Sequence, residues 1–400
     1  MDKNEDQAYV RLQQHLNRQA VGFPATKSGA EIKVLKHIFT SREAEIATCL
    51  SYKLEPLETV LQRAGNLVGS PDELAAVLDG IEKKGGIETK MKDGKKHYCN
   101  PPLIVGMYEF QSSRLTPEFI CDIDEYTRDK KFGIEFLATE LPQMRTIPVG
   151  KSIRPQNHVS TFDQVTALLQ QTEGPFAILE CICRKKKGMG GESCKVTDRK
   201  ETCLGMGHMA ASILVSGGAR EIPREEAIAI IEQNQKEGLV LQPSNTEHAD
   251  FICSCCGCCC GMLTLQKMLP RPLEFWAANF HAVVDVNLCD GCGTCAKRCQ
   301  VNAVSVAAKK QPSVVNRNRC IGCGLCVPTC PKKAMSLLKK PAEVVPPKTR
   351  EDLYDIIMAN KKGKLGKFKL MGKMTIDSIR TGGDKESRKL RDLEIDDACR

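Results

Sequence analysis

The sequence predicts a multi-domain α+β protein, and three features of the chain support this fold class. Residues 1–114 show apolar residues at helical spacing followed by a hairpin pattern, and residues 115–280 mix helix and strand patterns. Residues 281–340 hold eight cysteines in two runs of identical spacing, and residues 341–400 form an extension rich in proline and lysine. We therefore expect four parts with these boundaries.

The amino-terminal part is expected to be a winged-helix-like helical domain. Apolar residues three and four positions apart predict helices over Ala8–Gln19, Ala30–Phe39, Arg42–Leu50 and Pro56–Ala64. Ser70 and Pro71 then supply the N-cap and the first residue of a fifth helix. A turn at Asp93-Gly94 between two short strand patterns predicts a hairpin with a basic tip.

The charge of the fifth helix argues against nucleic-acid binding. A winged helix that binds DNA places its last helix in the major groove. This helix carries acidic side chains that phosphates would repel, namely Asp72, Glu73, Asp79 and Glu82. We therefore expect the domain to dock a protein or to dimerise.

The middle part is expected to be a cysteine-rich α+β domain. Thr161 with Gln164 predicts the start of a helix that ends at Gly174-Pro175. The apolar run after Pro175 predicts a strand that reaches Cys183, in which alternation places Cys181 and Cys183 on one face. A further helix pattern runs from Pro223 to Gly238 and leads into a strand over Leu239–Leu241.

The cysteines of this middle part predict a metal site. Six of them fall between Cys253 and Cys260, a density that the packing of a hydrophobic core does not explain. We expect at least one iron-sulfur cluster, with structural zinc as the second interpretation and redox-active thiols as the third. The candidate ligands are Cys181, Cys183, Cys194 and Cys203, with Cys255 and Cys256 as substitutes.

The two regular cysteine runs share the spacing C-x2-C-x2-C-x3-C. They consist of Cys289, Cys292, Cys295 and Cys299, and of Cys320, Cys323, Cys326 and Cys330. Residues 283–306 and 314–337 align at a constant offset of 31 with 11 identities in 24 positions, which indicates an internal duplication. This spacing lets three thiolates of a tight loop reach one four-iron cube while the fourth serves a second cube.

The duplicated segment resembles the two-cluster 4Fe-4S ferredoxin domain of bacterial type over about residues 283–340. The resemblance implies that Cys289, Cys292, Cys295 and Cys330 hold one cluster, and that Cys320, Cys323, Cys326 and Cys299 hold the other. One position departs from the family pattern: Gln300 follows Cys299, where the second run has Pro331. Structural zinc, which also takes four thiolates, is the alternative.

The order of the motifs resembles a group of large bacterial and archaeal 4Fe-4S binding proteins. It combines a strand with C-x-C-R, the segment ICSCCGCCC and the two-cluster domain. That resemblance covers about half of the chain and implies an accessory role in electron transfer without naming a substrate.

Composition predicts a soluble cytoplasmic protein. The polar terminus MDKNEDQAYV lacks the layout of a secretory signal, and no apolar stretch is long enough for a transmembrane segment. In the reducing cytoplasm, 22 cysteines argue for metal binding rather than disulfides.

The net charge is +9, and basic residues concentrate around the two regular cysteine runs. Four cations lie beside cluster cysteines, namely Lys297, Arg298, Lys332 and Lys333. They predict a redox partner with an acidic docking surface. The lysine run over Lys361–Lys373 adds a second basic segment, although Gly363, Gly366 and Gly372 argue against a stable helix there.

These features together predict an iron-sulfur electron-transfer protein or the electron-transfer subunit of an oxidoreductase. They favour such a component over a stand-alone enzyme. Neither GxGxxG after a strand nor GxxxxGK[ST] occurs, so the sequence contains no recognisable nucleotide or flavin motif. The alternative is a redox-sensing regulator that binds DNA through the winged helix. An enzyme with an open iron site in the middle part is a third hypothesis.

Overall fold

The computed structural model describes residues 3–153, 159–308 and 310–380. It shows an α+β chain with helices around several small sheets. The helices are α1 Lys3–Arg18, α2 Ala30–Ile38, α3 Ser41–Ala47, α4 Leu57–Ala64, α5 Pro71–Lys83, α6 Pro117–Arg128, α7 Lys130–Leu137, α8 Val165–Gln171, α9 Ile182–Met189, α10 Gly207–Val215, α11 Arg224–Glu237, α12 Gly261–Met268, α13 Thr294–Arg298, α14 Arg350–Ala359 and α15 Lys364–Arg380. The strands are β1 Glu55–Pro56, β2 Glu88–Lys92, β3 Lys95–Cys99, β4 Phe176–Glu180, β5 Glu201–Met206, β6 Ala219–Ile222, β7 Val240–Pro243, β8 Phe251–Cys255, β9 Phe280–Val284, β10 Val304–Ser305, β11 Val314–Val315 and β12 Met335–Lys339.

The amino-terminal part has the helices and the hairpin that the sequence predicts. Helices α1 to α5 share one buried apolar core, and β1, β3 and β2 form an antiparallel sheet beside it. The Ser70 hydroxyl accepts a hydrogen bond of 3.1 Å from the Glu73 N–H at the start of α5. The winged-helix class and the four part boundaries stay predictions.

A five-stranded antiparallel sheet organises the middle part. Its strand order is β6-β4-β5-β8-β7, and α8 and α11 pack over an apolar core on it. The register pairs Leu204 with Ile252 and Val240 with Cys255, which brings cysteines from distant segments together on the adjacent interior strands β5 and β8. The sheet therefore positions the thiols of this part.

Two predicted boundaries in the middle part are wrong. The strand before the C-x-C pair ends at Glu180, where the pairing with β5 shifts register, and the Cys181 carbonyl accepts a hydrogen bond of 2.9 Å from the Lys185 N–H at the start of α9. Helix α8 begins at Val165 rather than at Thr161. A short turn precedes it because buried Asp163 accepts a hydrogen bond of 2.8 Å from the Asn279 side chain.

The duplicated cysteine segment forms a small unit with two antiparallel strand pairs. Strands β9 and β12 pair antiparallel at one side, and β10 and β11 pair antiparallel at the other. Its apolar core also contains Val149, Val240, Cys255 and Cys260 from the middle part. The two parts therefore share a single continuous core.

The carboxy-terminal part follows as two helices. Helix α14 spans Arg350–Ala359, and Arg350 at its start pairs with buried Glu88 of β2. The expectation that glycines prevent a helix in the lysine run is wrong, since α15 forms there. Ion pairs of Lys367 with Glu135 and of Lys373 with Glu274 hold α15 against the body, which offsets the low helix propensity of glycine.

None of the helices in the described part of the chain combines the length and the apolar character that a membrane span requires.

Candidate metal centres

Glycines shape the two regular cysteine runs in the same way. Gly291 and Gly322 have φ values of 69° and 66°, a region that favours glycine. A Cβ atom on either residue would lie 2.3 Å from a backbone carbonyl oxygen, that of Gln311 or of Phe280. The loops can therefore close around a compact cofactor only with glycine at these positions.

Backbone N–H groups point at the sulfurs of both runs. The Ala303 N–H donates to Sγ of Cys299 at 3.2 Å, and the Ala334 N–H, 31 residues later, donates to Sγ of Cys330 at 3.3 Å. The N–H groups of Ser313 and Ala282 donate to further cysteine sulfurs. Such bonds stabilise thiolates and tune the potential of a bound cluster.

Cys299 lies among the cysteines of the other run. Burial raises the pKa of the Cys299 thiol, and nearby Cys320 raises it further. Burial also raises the pKa of Cys323, to which Cys299 and Cys320 both add. Cys326 is close to the same three sulfurs. This grouping is the one that the crossed ligand pattern requires, although the assignment of individual ligands stays a prediction.

Residues 288–343 match the family described as 4Fe-4S dicluster domain. The chain therefore contains a 4Fe-4S ferredoxin-type domain. Neither the curated proteins nor the solved structures that were compared include a match to the chain. The matched residues include the eight regularly spaced cysteines, whereas the cysteines of the middle part lie outside the match.

The middle cysteines fall into two groups, and the first is compact. Cys194, Cys256, Cys258 and Cys259, hereafter the four-cysteine group, have sulfurs that all lie within 4.8 Å of one another. Sγ of Cys194 is 3.6 Å from that of Cys256 and 3.7 Å from that of Cys258. Hydrogen bonds from Cys256 and Cys259 lower the pKa of Cys258 below that of a free thiol. This donor set fits a thiolate-bound metal.

The second group is a closed ring of six cysteine side chains. Each thiol shifts the pKa of the next in the order Cys181, Cys183, Cys260, Cys255, Cys253, Cys203 and back to Cys181, so neighbouring members lie close together. We refer to it as the six-cysteine ring. Hydrogen bonds from Cys183 and Cys203 lower the pKa of Cys181 well below its usual value, despite burial.

Local structure explains why these six thiols meet. Alternation along β8 places Cys253 and Cys255 on one face of the sheet. The pairing of β5 with β8 brings Cys203 beside Cys253, and the start of α9 turns Cys181 and Cys183 toward them. Cys260 completes the ring from the residue before α12.

Arg184 lies between the two groups. It is 8% exposed, its guanidinium lies 3.8 Å from Sγ of Cys256 in the four-cysteine group, and despite burial the nearby thiol of Cys181 in the ring raises its pKa. Its Nε and Nη2 atoms are buried without a hydrogen-bond partner in the described part of the chain. A buried guanidinium in this position is suited to anionic metal–thiolate centres on either side.

Glu109 is a second charged neighbour of the six-cysteine ring. Its carboxylate accepts a hydrogen bond of 2.8 Å from the Gly106 N–H and interacts with Cys181 and Cys253. Burial raises the pKa of Glu109 to about 7. The ring therefore has one titratable neighbour that changes charge near neutral pH.

The structure divides the predicted middle ligands between two places. Cys181, Cys183, Cys203 and Cys255 belong to the six-cysteine ring, whereas Cys194 and Cys256 belong to the four-cysteine group. Sequence reasoning selected no role for Arg184 or for Cys253, Cys258, Cys259 and Cys260. Cys253 and Cys255 are two positions apart in a strand pattern and therefore lie on one face of the strand. This spacing was the sequence signal that could have separated the two groups.

Three of the four predicted docking cations are exposed. Lys297, Lys332 and Lys333 face solvent beside the cluster cysteines. Arg298 instead donates a hydrogen bond of 2.7 Å to the Glu237 carbonyl at the end of α11. It packs against Gly238, where a Cβ atom would lie 2.4 Å from the guanidinium carbon. Arg298 therefore contributes to the contact between the two parts.

Proposed function

We propose that the protein transfers single electrons among three iron-sulfur clusters, two in the ferredoxin-type domain and one in the six-cysteine ring. The observation that carries this proposal is the shared core. Cys255 and Cys260 of the ring pack in the same apolar cluster as Cys295, Cys320 and Cys326. A continuous apolar core excludes water between redox centres.

The proposed ligands follow the crossed pattern in the ferredoxin-type domain. One cluster would be held by Cys289, Cys292, Cys295 and Cys330, and the other by Cys320, Cys323, Cys326 and Cys299. The clusters supply one-electron chemistry at potentials that the protein sets. The chain contributes thiolates, N–H groups directed at sulfur, exclusion of water and the positive charge of Arg184.

We place the protein in the cytoplasm as the electron-transfer component of an oxidoreductase. Lys297, Lys332 and Lys333 form an exposed basic surface beside the clusters, which suits an acidic redox partner. The division into a winged-helix-like domain, a cysteine-rich domain, a ferredoxin-type domain and an extension belongs to this proposal.

Stepwise anaerobic reduction tests the third cluster. The protein is titrated with dithionite while absorbance and EPR signals are followed. We expect the wild type to take up about three electrons per chain. A variant with Cys183→Ala, Cys203→Ala and Cys255→Ala removes alternate members of the six-cysteine ring. It leaves three thiols there, one fewer than a cubane requires, and should take up about two electrons.

A double variant, Cys49→Ala with Cys99→Ala, is the matched control because both residues are buried cysteines outside the metal centres. It should titrate like the wild type. Equal electron uptake by the wild type and the ring variant would contradict a redox role of the ring.

The charges of the amino-terminal domain do not favour the DNA-binding alternative. Lys95 of the hairpin pairs with Glu58 at 2.7 Å, and Lys96 pairs with Asp79 at 2.7 Å and with buried Glu82. These acidic side chains neutralise the positive charge of the lysines that would otherwise contact phosphates. The regulator stays an untested alternative, which a gel-shift at low salt with reduced and oxidised protein examines.

A further inference from the structure

The four-cysteine group differs in spacing from every other cysteine site of the described chain. Its four sulfurs lie within 4.8 Å of one another, and no other set of three or more candidate ligands among the described residues is so compact. The cysteines of the ferredoxin-type domain serve as an internal comparison, because the class of their cofactor follows from the family match. They are spread more widely, and so are the thiols of the six-cysteine ring.

The separations agree with one tetrahedral ion. Zn–S bonds of about 2.3 Å place the sulfurs of a tetrahedral site about 3.8 Å apart. The four irons of a cubane spread the terminal sulfurs to roughly 6 Å. Sγ of Cys194 is 3.6 Å from Cys256 and 3.7 Å from Cys258, and Sγ of Cys258 is 3.6 Å from that of Cys259.

We infer that the four-cysteine group binds a single Zn²⁺ ion in a closed tetrahedral site. Zinc prefers four thiolates of this kind in structural sites, and each thiol releases a proton on binding. The ion carries no redox chemistry, so this centre would be structural. The inference does not depend on the proposed electron-transfer function.

The surroundings suit the charge of such a site. Four thiolates around Zn²⁺ leave two negative charges. Buried Arg184 lies 3.8 Å from Sγ of Cys256, and Lys187 donates a hydrogen bond of 3.1 Å to the Cys258 carbonyl. The Val196 N–H donates to Sγ of Cys194 at 3.5 Å. Hydrogen bonds and cations of this kind are typical partners of metal-bound thiolates.

The position of the group indicates what the ion would hold in place. The loop from Cys256 to Cys259 contains Gly257, whose N–H donates to the side chain of Gln300 in the ferredoxin-type domain at 2.8 Å. On the other side, Cys194 comes from the segment that follows α9. Zinc would therefore fix the loop that joins the middle part to the ferredoxin-type domain.

Metal analysis of the anaerobically purified full-length chain tests the inference. We expect one zinc per chain in addition to iron, and zinc K-edge X-ray absorption should show four sulfur neighbours at about 2.3 Å. A shell with fewer sulfurs, or a zinc-free protein with all its iron in place, would overturn the zinc assignment. This measurement requires no variant and so does not depend on one that folds.

A double variant with Cys194→Ala and Cys258→Ala adds a second test. It leaves two thiols in the group and should lose the zinc while keeping the iron content and the electron uptake of the wild type. Loss of about four irons together with unchanged zinc would assign a cluster to the group instead. The variant with Cys49→Ala and Cys99→Ala should keep both metals. Failure of the proposed electron transfer would alter electron uptake without affecting zinc.

Discussion

The Gly257 N–H donates a hydrogen bond of 2.8 Å to Oε1 of Gln300. Gln300 is the residue that departs from the ferredoxin pattern, since the corresponding position of the second run is Pro331. The Gln300 backbone carbonyl also lies where a Cβ atom on Gly257 would be, at 2.2 Å. The departure therefore has a structural explanation: the first run uses this position to bind the cysteine-rich loop of the middle part.

Gly257→Ala is expected to disrupt this contact. The new methyl group would collide with backbone rather than with a flexible side chain, so the loop must shift. We expect a loss of about 1–3 kcal/mol in stability and slower reduction of the ferredoxin-type clusters through the middle part. Gly261→Ala is the matched control because nothing lies within 4 Å of its Cβ position. Thermal unfolding and stopped-flow reduction should separate the variants, and equal behaviour would contradict the contact.

Arg184→Met is expected to lower the midpoint potential of the cluster that we propose for the six-cysteine ring. Reduction adds negative charge, which the guanidinium stabilises. For charges about 6 Å apart at an effective dielectric of 20, the interaction is about 3 kcal/mol, or on the order of 100 mV for one electron. EPR-monitored redox titration measures the shift. Lys185→Met is the control, because Lys185 pairs with Glu180 at 2.7 Å. An unchanged potential in Arg184→Met would refute the role of Arg184.

Glu109 is expected to make the potential of the same cluster depend on pH. Its pKa is about 7, raised by burial, and a reduced cluster nearby would raise it further. Between the pKa of Glu109 beside the oxidised cluster and its higher pKa beside the reduced cluster, reduction is accompanied by uptake of a proton. The potential should therefore fall as the pH rises between these two values and become constant above the higher one. Below pH 7 the protonated carboxyl gives a constant, higher potential.

Glu109→Gln removes the titrating charge and should hold the potential near its low-pH value at every pH. Exposed Glu118 provides the control substitution Glu118→Gln. A pH-dependent potential that survives in Glu109→Gln would assign the proton to another group.

Lys332 and Lys333 are expected to attract anionic electron acceptors. Replacing both by glutamine should slow electron transfer to ferricyanide by roughly 2–5-fold at low ionic strength, and the difference should vanish at high salt. Transfer to cationic hexaammineruthenium(III) should not slow. A double variant with Lys90→Gln and Lys92→Gln removes two positive charges from the distant hairpin instead and serves as the control. If these two double variants were equally slow, a general charge effect would explain the result.

Local sequence signals predicted much of the fold. Spacing alone located the ferredoxin-type domain, and apolar periodicity located the amino-terminal helices, because both signals depend on neighbouring residues. The grouping of the middle thiols depends instead on which residues pair across the sheet. Cys203 meets Cys253 through the register of β5 with β8, and a shift of one residue would place them on opposite faces.

Tertiary contacts also decided the segments where prediction was wrong. The lysine run forms α15 because Glu135 and Glu274 are positioned by distant parts of the chain. In the same way, no pattern in the sequence connects Gln300 with Gly257, since 43 residues separate them and only the packing of the middle part against the ferredoxin-type domain brings them together.

Iron and acid-labile sulfide per chain, measured on protein purified without oxygen, test the central claim most directly. Two clusters in the ferredoxin-type domain and one in the six-cysteine ring predict about twelve of each. The variant with alternate ring cysteines replaced should contain about eight. About eight irons in the wild type, unchanged in that variant, would contradict the account.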